Sequence, residues 1–403
     1  MLALVTASVI IVIGFLGSYL FDRTGLPDML FLIVLGVIFG PILRFFDPTA
    51  ITGLAPYIAA LALVFILFDG GLRMNIYEIF SGAPRAGLLA LISFVLSAIT
   101  ITLFTHFLMG VPLLYGVLFG SICGGSSSIV VVSLARRIKV SERCATTITL
   151  ESAITDILCI VVSLAVIGII LTGQADYVIV GREITTQFST GAVVGVLFGV
   201  FWLSILQRVA RVPYAYMLTL AIVLLAYCVS EYLGGSGALS SLLFGVILGN
   251  EREIFKMLKR ERARDTVIDE GMKRFESEIA FLIRTFFFVY LGLIAIVTNI
   301  SMLILGILLS FLLLFVRYVA VHMATIRSLF TRGEHHIMSI VLTRGLSAAV
   351  LSTLPMQYGL LYADLYLNVT LVIIITTAVI CTVGVLVLSR KIIEEPAFET
   401  VTQ

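Results

Sequence analysis

Apolar runs long enough to cross a bilayer recur along almost the whole chain, and they leave it few ways to fold. A transmembrane helix needs about 20 largely apolar residues. Runs that approach or exceed this length fall at 2–20, 27–43, 52–69, 86–109, 112–134, 145–171, 188–206, 214–232, 236–249, 281–298, 300–326, 335–356 and 365–388. The run at 236–249 is short and rich in Gly and Ser, and Arg344 interrupts the one at 335–356. Only 12% of residues are charged, half the share usual in soluble chains, and the mean hydropathy is +1.15. A soluble domain with one core is excluded. The expectation is an all-α integral membrane protein with about thirteen transmembrane helices.

The loops test that count independently. With the N-terminus outside, odd-numbered loops and the C-terminal tail are cytoplasmic, and 21 of the 26 Lys and Arg fall there. Arg44 and Arg182 fall in even loops, while Arg284, Arg317 and Arg344 lie within or at the edge of runs. That asymmetry follows the positive-inside rule, so the N-terminus is expected outside and the C-terminus in the cytoplasm. The first run lacks a basic flank and a small-residue cleavage site, which makes it an anchor helix rather than a removed signal. The five cysteines show no metal-ligand or disulfide spacing, and nothing in the charge pattern supports nucleic-acid binding. No cofactor is expected, and no protease or hydrolase motif marks an enzyme.

One polar stretch divides the chain. The expected organisation is a first membrane part at 1–250, a cytoplasmic amphipathic linker at 251–279, a second membrane part at 280–390 and a cytoplasmic tail at 391–403. Each part contains a run interrupted by helix breakers. The first reads Gly120-Ser121-Ile122-Cys123-Gly124-Gly125-Ser126-Ser127-Ser128, and the second Thr343-Arg344-Gly345-Leu346-Ser347. Paired interruptions of this kind point to the central site of a transporter.

Two carboxylates, Glu151 and Asp156, sit inside the sixth run. A charge at membrane depth is costly and marks either an ion path or a partner on another helix. Ser152, Thr155 and Asp156 share one helix face, and Glu151 points about 140° away from Asp156. Asp156 with its hydroxyl neighbours offers oxygen ligands suited to a small hard cation. Glu151 needs a cation. Arg317 is favoured as its structural partner, which leaves Arg344 to stabilise the second break. Asp69 closes the third run, where it either faces water or serves the ion path.

Four segments resemble the monovalent cation:proton antiporter superfamily, most closely the NhaP-type exchangers of its first family. Leu67-Phe68-Asp69-Gly70-Gly71-Leu72 resembles the motif LF[DE]GGL, and Glu151-Ser152-Ala153-Ile154-Thr155-Asp156 resembles ESxxND. Thr343-Arg344-Gly345-Leu346-Ser347 resembles (L)RGxxS, and Arg317 falls where the family carries its helix-11 arginine. The resemblance implies an inverted-repeat fold with two discontinuous crossing helices, a dimerisation domain and a mobile six-helix core. It implies that Asp156 binds the ion and exchanges the proton, with Ser152 and Ser126 as further oxygen ligands. Thr155 and Ser127, the neighbouring hydroxyls, are counted with them as ion-binding residues, Asp69 would help at the cytoplasmic entry, and Glu151 would pair with Arg317. Two departures stand out: Thr155 where the family has Asn, and Ser126-Ser127-Ser128 where it has Thr-Asp-Pro. The expected activity is exchange of sodium or lithium for protons by a homodimer in the cell membrane, with potassium/proton exchange or potassium efflux as the alternative.

Overall fold

The computed structural model describes residues 8–17, 19, 28–43, 55–74, 76, 84–127, 141–173, 177–209, 214–257, 270–295, 300–326 and 330–394. Among these the regular structure is helical. In chain order the helices are α1 (Ser8–Gly17), α2 (Asp28–Val37, continued by a π-turn at Ile38–Ile42), α3 (Ala55–Arg73), α4 (Pro84–Met109), α5 (Leu113–Ile122) and α6 (Glu142–Thr172). Then come α7 (Tyr177–Val209), α8 (Ala215–Tyr232), α9 (Gly237–Gly249), α10 (Glu251–Met257), α11 (Glu270–Ile294) and α12 (Ile300–Ala324). The last four are α13 (Arg332–Ile340), α14 (Leu346–Leu351), α15 (Leu354–Gln357) and α16 (Ala363–Glu394). Among the described residues, seven helices are long and apolar enough to cross a membrane, and four more apolar helices are shorter.

Several elements depart from the hydropathy runs, for identifiable reasons. The run at 335–356 is no single helix: α13 stops at Ile340, non-helical backbone follows, and α14 starts at Leu346. Thr331 starts α13 with a capping box, its side chain accepting from Glu334 N while Glu334 reaches back to the Thr331 backbone. Helix α5 starts after Pro112 and ends at Ile122, just before the glycine pair. Helix α11 begins at Glu270, well ahead of the apolar run at 281–298. Of the expected linker, residues 251–257 form α10, 258–269 lie outside the described residues, and 270–279 are the opening turns of α11.

The chain divides into two compact units. The first comprises residues 1–11, 35–81 and 160–294; the second comprises 12–34, 82–159 and 295–403. In the first unit α9 packs along α3 and α7, and α11 packs on α3. Glycine permits the closest approach. A Cβ on Gly71 would sit 2.2 Å from the Leu242 carbonyl oxygen, and one on Gly245 would sit 2.4 Å from that of Phe68. Around this seam lies a core of Phe65, Phe68, Trp202 and Phe244, with the Trp202 indole donating to Thr219 at 3.0 Å. In the second unit α12 packs on α4 and α16, and α5 packs on α4.

Candidate ion site at the helix breaks

Both interrupted segments lie in the second unit, and there they meet. The backbone N–H of Ser127 donates to the Thr343 carbonyl at 2.7 Å. Gly345 faces Ser127 so closely that a Cβ would stand 2.3 Å from the serine Oγ. Unwound backbone exposes carbonyls and amides that hydrocarbon cannot satisfy, so protein groups must. Arg344 does much of this. Its guanidinium donates to the carbonyls of Gly124 (3.1 Å) and Gly125, and to Ser97 Oγ at 3.2 Å. Its backbone N–H donates to Thr377 Oγ1 at 3.1 Å. Gly125 has its own steric reason, since a Cβ would come within 2.7 Å of Cys159 Sγ.

Glu151, Ser152 and Thr155 are fully buried on α6 and converge on Ser126. Ser152 Oγ donates to the Ser126 carbonyl at 2.9 Å, and the Ser126 N–H donates to Thr155 Oγ1 at 3.1 Å. Ser126 Oγ donates to Glu151 Oε1 at 3.3 Å. The four residues thus form one polar seam between α6 and the first break.

Glu151 and Arg317 form a two-pronged ion pair, Nη1 to Oε1 at 2.8 Å and Nη2 to Oε2 at 3.0 Å. Arg317 also donates to Ser93 Oγ at 3.1 Å and to the Met338 carbonyl at 2.9 Å. Such multiplicity is what a buried pair requires to offset its desolvation. Asp156 looks elsewhere: it is half-buried and accepts a hydrogen bond from Ser347 Oγ on α14 at 2.5 Å. Glu151 is thus held by a full cation, and Asp156 accepts from a hydroxyl on α14. Asp69 lies in the first unit, where Arg73 Nε donates to both its oxygens at 3.2 Å and Ser277 Oγ to one of them at 3.2 Å.

Reading the sequence assigned no role to Ser93, Ser97 and Ser347. Ser93 and Ser97 are four apart on α4, one serving each buried arginine, and that spacing was a usable signal. Ser347 stands in the second breaker segment, where a hydroxyl beside a helix break was a usable signal. Among the described residues no cluster of three or more His, Cys, Asp or Glu could hold a resident metal ion.

Residues 8–390 match the family model described as sodium/hydrogen exchanger, transmembrane. The chain is 25% identical over 393 residues to a K(+)/H(+) antiporter NhaP of Alkalimonas amylolytica, covering 94% of this chain and 64% of that protein. It is 28% identical over 371 residues to a K(+)/H(+) antiporter NhaP2 of Shewanella baltica, covering 89% and 61%. It is 23% identical over 301 residues to Na(+)/H(+) antiporter 1 of Methanocaldococcus jannaschii, covering 72% and 68%. The chain therefore spans less than two thirds of the length of the two potassium/proton relatives. In fold it is similar to the sodium proton antiporter MjNhaP1 of M. jannaschii at pH 8, with a TM-score of 0.79, 21% identity and coverage of 98% and 99%.

Proposed function

Because the chain belongs to the transmembrane sodium/hydrogen exchanger family, we propose that it exchanges a monovalent cation for protons across a membrane, with Asp156 as the exchanging group. The observation that carries this reading is the meeting of the two helix breaks beside α6, where Glu151 is neutralised by Arg317 and Asp156 accepts from the Ser347 hydroxyl that follows the second break. A half-buried carboxylate in such a place is neutralised by a proton or by a cation, and not by both at once. Arrival of the cation expels the proton, and alternating access of the site to the two sides turns that competition into exchange. Ser152, Thr155, Ser126 and Ser127 supply oxygens around the path, Arg344 holds the first break in shape, and Asp69 serves the cytoplasmic entry. Since Glu151 is already paired, one proton trades for one cation and the cycle is electroneutral. The N-terminus lies outside and the C-terminus in the cytoplasm, in keeping with the basic loops, and the working form is a homodimer.

The cation in this reading is sodium or lithium. A second reading, potassium, draws on Ser126 and Ser127: hydroxyls replace a carboxylate at the first break, and such a site holds a weakly hydrated ion more readily than a strongly hydrated one. The relatives named as potassium/proton antiporters point the same way. Proton flux in sealed proteoliposomes with a preset pH gradient separates the readings, on addition of sodium, lithium, potassium or choline. Collapse of the gradient by sodium and lithium, absent with choline and lost in Asp156→Asn, supports the first. A potassium response of equal size moves the reading to the second. Net charge movement per cycle would refute electroneutrality.

A further inference from the structure

A row of aromatic rings runs across the contact of α12 with α13 in the second unit, and the exchange cycle uses none of them. Tyr318 and His322, one turn apart on α12, stack with ring centroids 5.5 Å apart and planes at 25°. His322 meets His335 of α13 at 6.4 Å with the planes at 62°, and Phe330 stands edge-on to His335 at 6.2 Å. Burial among apolar groups accounts for Phe330. It does not account for the imidazoles, since His322 is exposed near the end of α12 and His335 is half-buried.

The His335 ring is oriented as a ligand. Its Nδ1 stands 2.8 Å from the Thr331 carbonyl oxygen. A carbonyl oxygen only accepts, so Nδ1 carries the proton, and in the neutral ring Nε2 keeps its lone pair. Metal-binding histidines are held this way, by a hydrogen bond from the other ring nitrogen. Thr331 is itself fixed, because its side chain caps α13. Stacking on Tyr318 limits the His322 ring in turn. Metal–nitrogen bonds are about 2.0–2.1 Å long, so two imidazoles on one ion have centroids roughly 4.5–6.4 Å apart. The observed 6.4 Å is the wide end of that range, and rotation of the exposed His322 ring shortens it.

Neighbouring groups do not complete a cage. Glu334 is engaged at both oxygens, Oε1 accepting from the Ser141 N–H and Oε2 from that of Thr331. His336 points about 100° away round α13.

We propose that His322 and His335 together bind a divalent transition cation of the zinc, nickel or copper class that imidazole nitrogen favours. With two protein ligands, water fills the remaining positions, so the ion comes and goes with its concentration rather than residing. Once bound, it bridges α12 and α13. Helix α13 leads directly into the second break and Arg344, so the bridge restrains that segment and slows exchange. The binding site stands on the two rings alone, whereas the brake rests on the exchange reading above.

Zinc titration of the purified full chain tests the site, with a histidine-free tag and with the exposed Cys228 replaced by serine. Binding should be lost in His322→Ala and in His335→Ala, and kept in His336→Ala. Copper(II) in place of zinc should show hyperfine coupling to two nitrogens in electron paramagnetic resonance. In proteoliposomes zinc should slow cation-driven proton flux, and His322→Ala should abolish that slowing. Zinc binding unchanged by both histidine substitutions overturns the site. So does a copper signal without two coupled nitrogens, a readout that needs no histidine variant to fold. Flux that zinc leaves unchanged while the two-nitrogen signal is present overturns the brake. Absence of any cation-driven flux overturns the exchange reading instead, and the binding results then decide the site by themselves.

Discussion

The two units handle buried charge in opposite ways. In the second, helices are broken, and every fragment of unwound backbone calls for a partner. Arg317 and Arg344 each engage three separate groups by their guanidinium. Hydroxyls of Ser93, Ser97, Ser126, Ser152 and Thr155 fill the spaces between. In the first unit α3, α7 and α9 are unbroken and meet through glycine seams, so the backbone satisfies itself. Polar side chains stand isolated there: among the described residues, Ser230 Oγ, Thr285 Oγ1 and both oxygens of Glu276 are buried without a hydrogen-bond partner. Irregular backbone recruits polar side chains into a network; regular backbone leaves the buried polar groups beside it isolated.

The comparison breaks most visibly at the ion pairs. Arg317→Ala strands Glu151 in a dry site and should cost about 3–5 kcal/mol, read as lost monodisperse protein and a lower apparent Tm. Replacing both partners, as in Glu151→Leu with Arg317→Leu, should recover much of that. Arg73→Ala removes a cation whose side chain is 65% exposed, and stability should change by no more than about 1 kcal/mol. Equal losses at the two arginines would erase the distinction drawn between the units.

Glycines give the next largest effect. Gly345→Ala forces a methyl onto Ser127 at the crossing of the breaks and should cost about 1–3 kcal/mol, with exchange falling as well. Gly71→Ala should cost as much through the Leu242 backbone while acting on folding alone. Gly70→Ala, next to it in the same motif, meets nothing within 4 Å and should be tolerated. Folded yield and flux, measured side by side, separate the three.

Smaller still is Ser347→Ala, which removes the donor to Asp156. Stability should change by about 1 kcal/mol, and the cation concentration for half-maximal exchange should rise, because an oxygen beside Asp156 is lost. An unchanged cation dependence would detach Ser347 from the site. The smallest effect belongs to Glu334. Burial works against its charge, but hydrogen bonds from Ser141 and Thr331 outweigh it and hold the carboxyl below its ordinary value of 4.5. Its stabilising contribution is therefore complete above pH 4.5 and disappears as pH falls through the lower native value. Glu334→Gln should flatten the acid limb of an apparent-Tm profile and leave the neutral region nearly unchanged.

Much of the fold was legible because hydropathy is a local property. The long runs at 86–109, 145–171, 300–326 and 365–388 coincide with α4, α6, α12 and much of α16. The breaks at 120–128 and 343–347 were legible too, since glycine and serine clusters weaken a helix wherever they occur. The start of α11 was not. Hydropathy marks where the chain becomes apolar, whereas the helix continues through polar residues back to Glu270 and carries Glu276 with it. The motif LFDGGL could not tell its two glycines apart, although one packs against α9 and the other faces open space.

By itself the sequence determined that this chain crosses a membrane many times, that its helices break in two places and which carboxylates sit at membrane depth. Each of these follows from neighbours along the chain. Only tertiary structure decided that Arg317 meets Glu151 across 166 residues and that Arg344 caps carbonyls 220 residues away. It also decided that Asp156 accepts from Ser347 on another helix and that, among the described residues, both oxygens of Glu276 lack a hydrogen-bond partner. The reason is physical: a buried polar group is satisfied or orphaned by whatever the fold brings beside it, and sequence spacing carries no record of that.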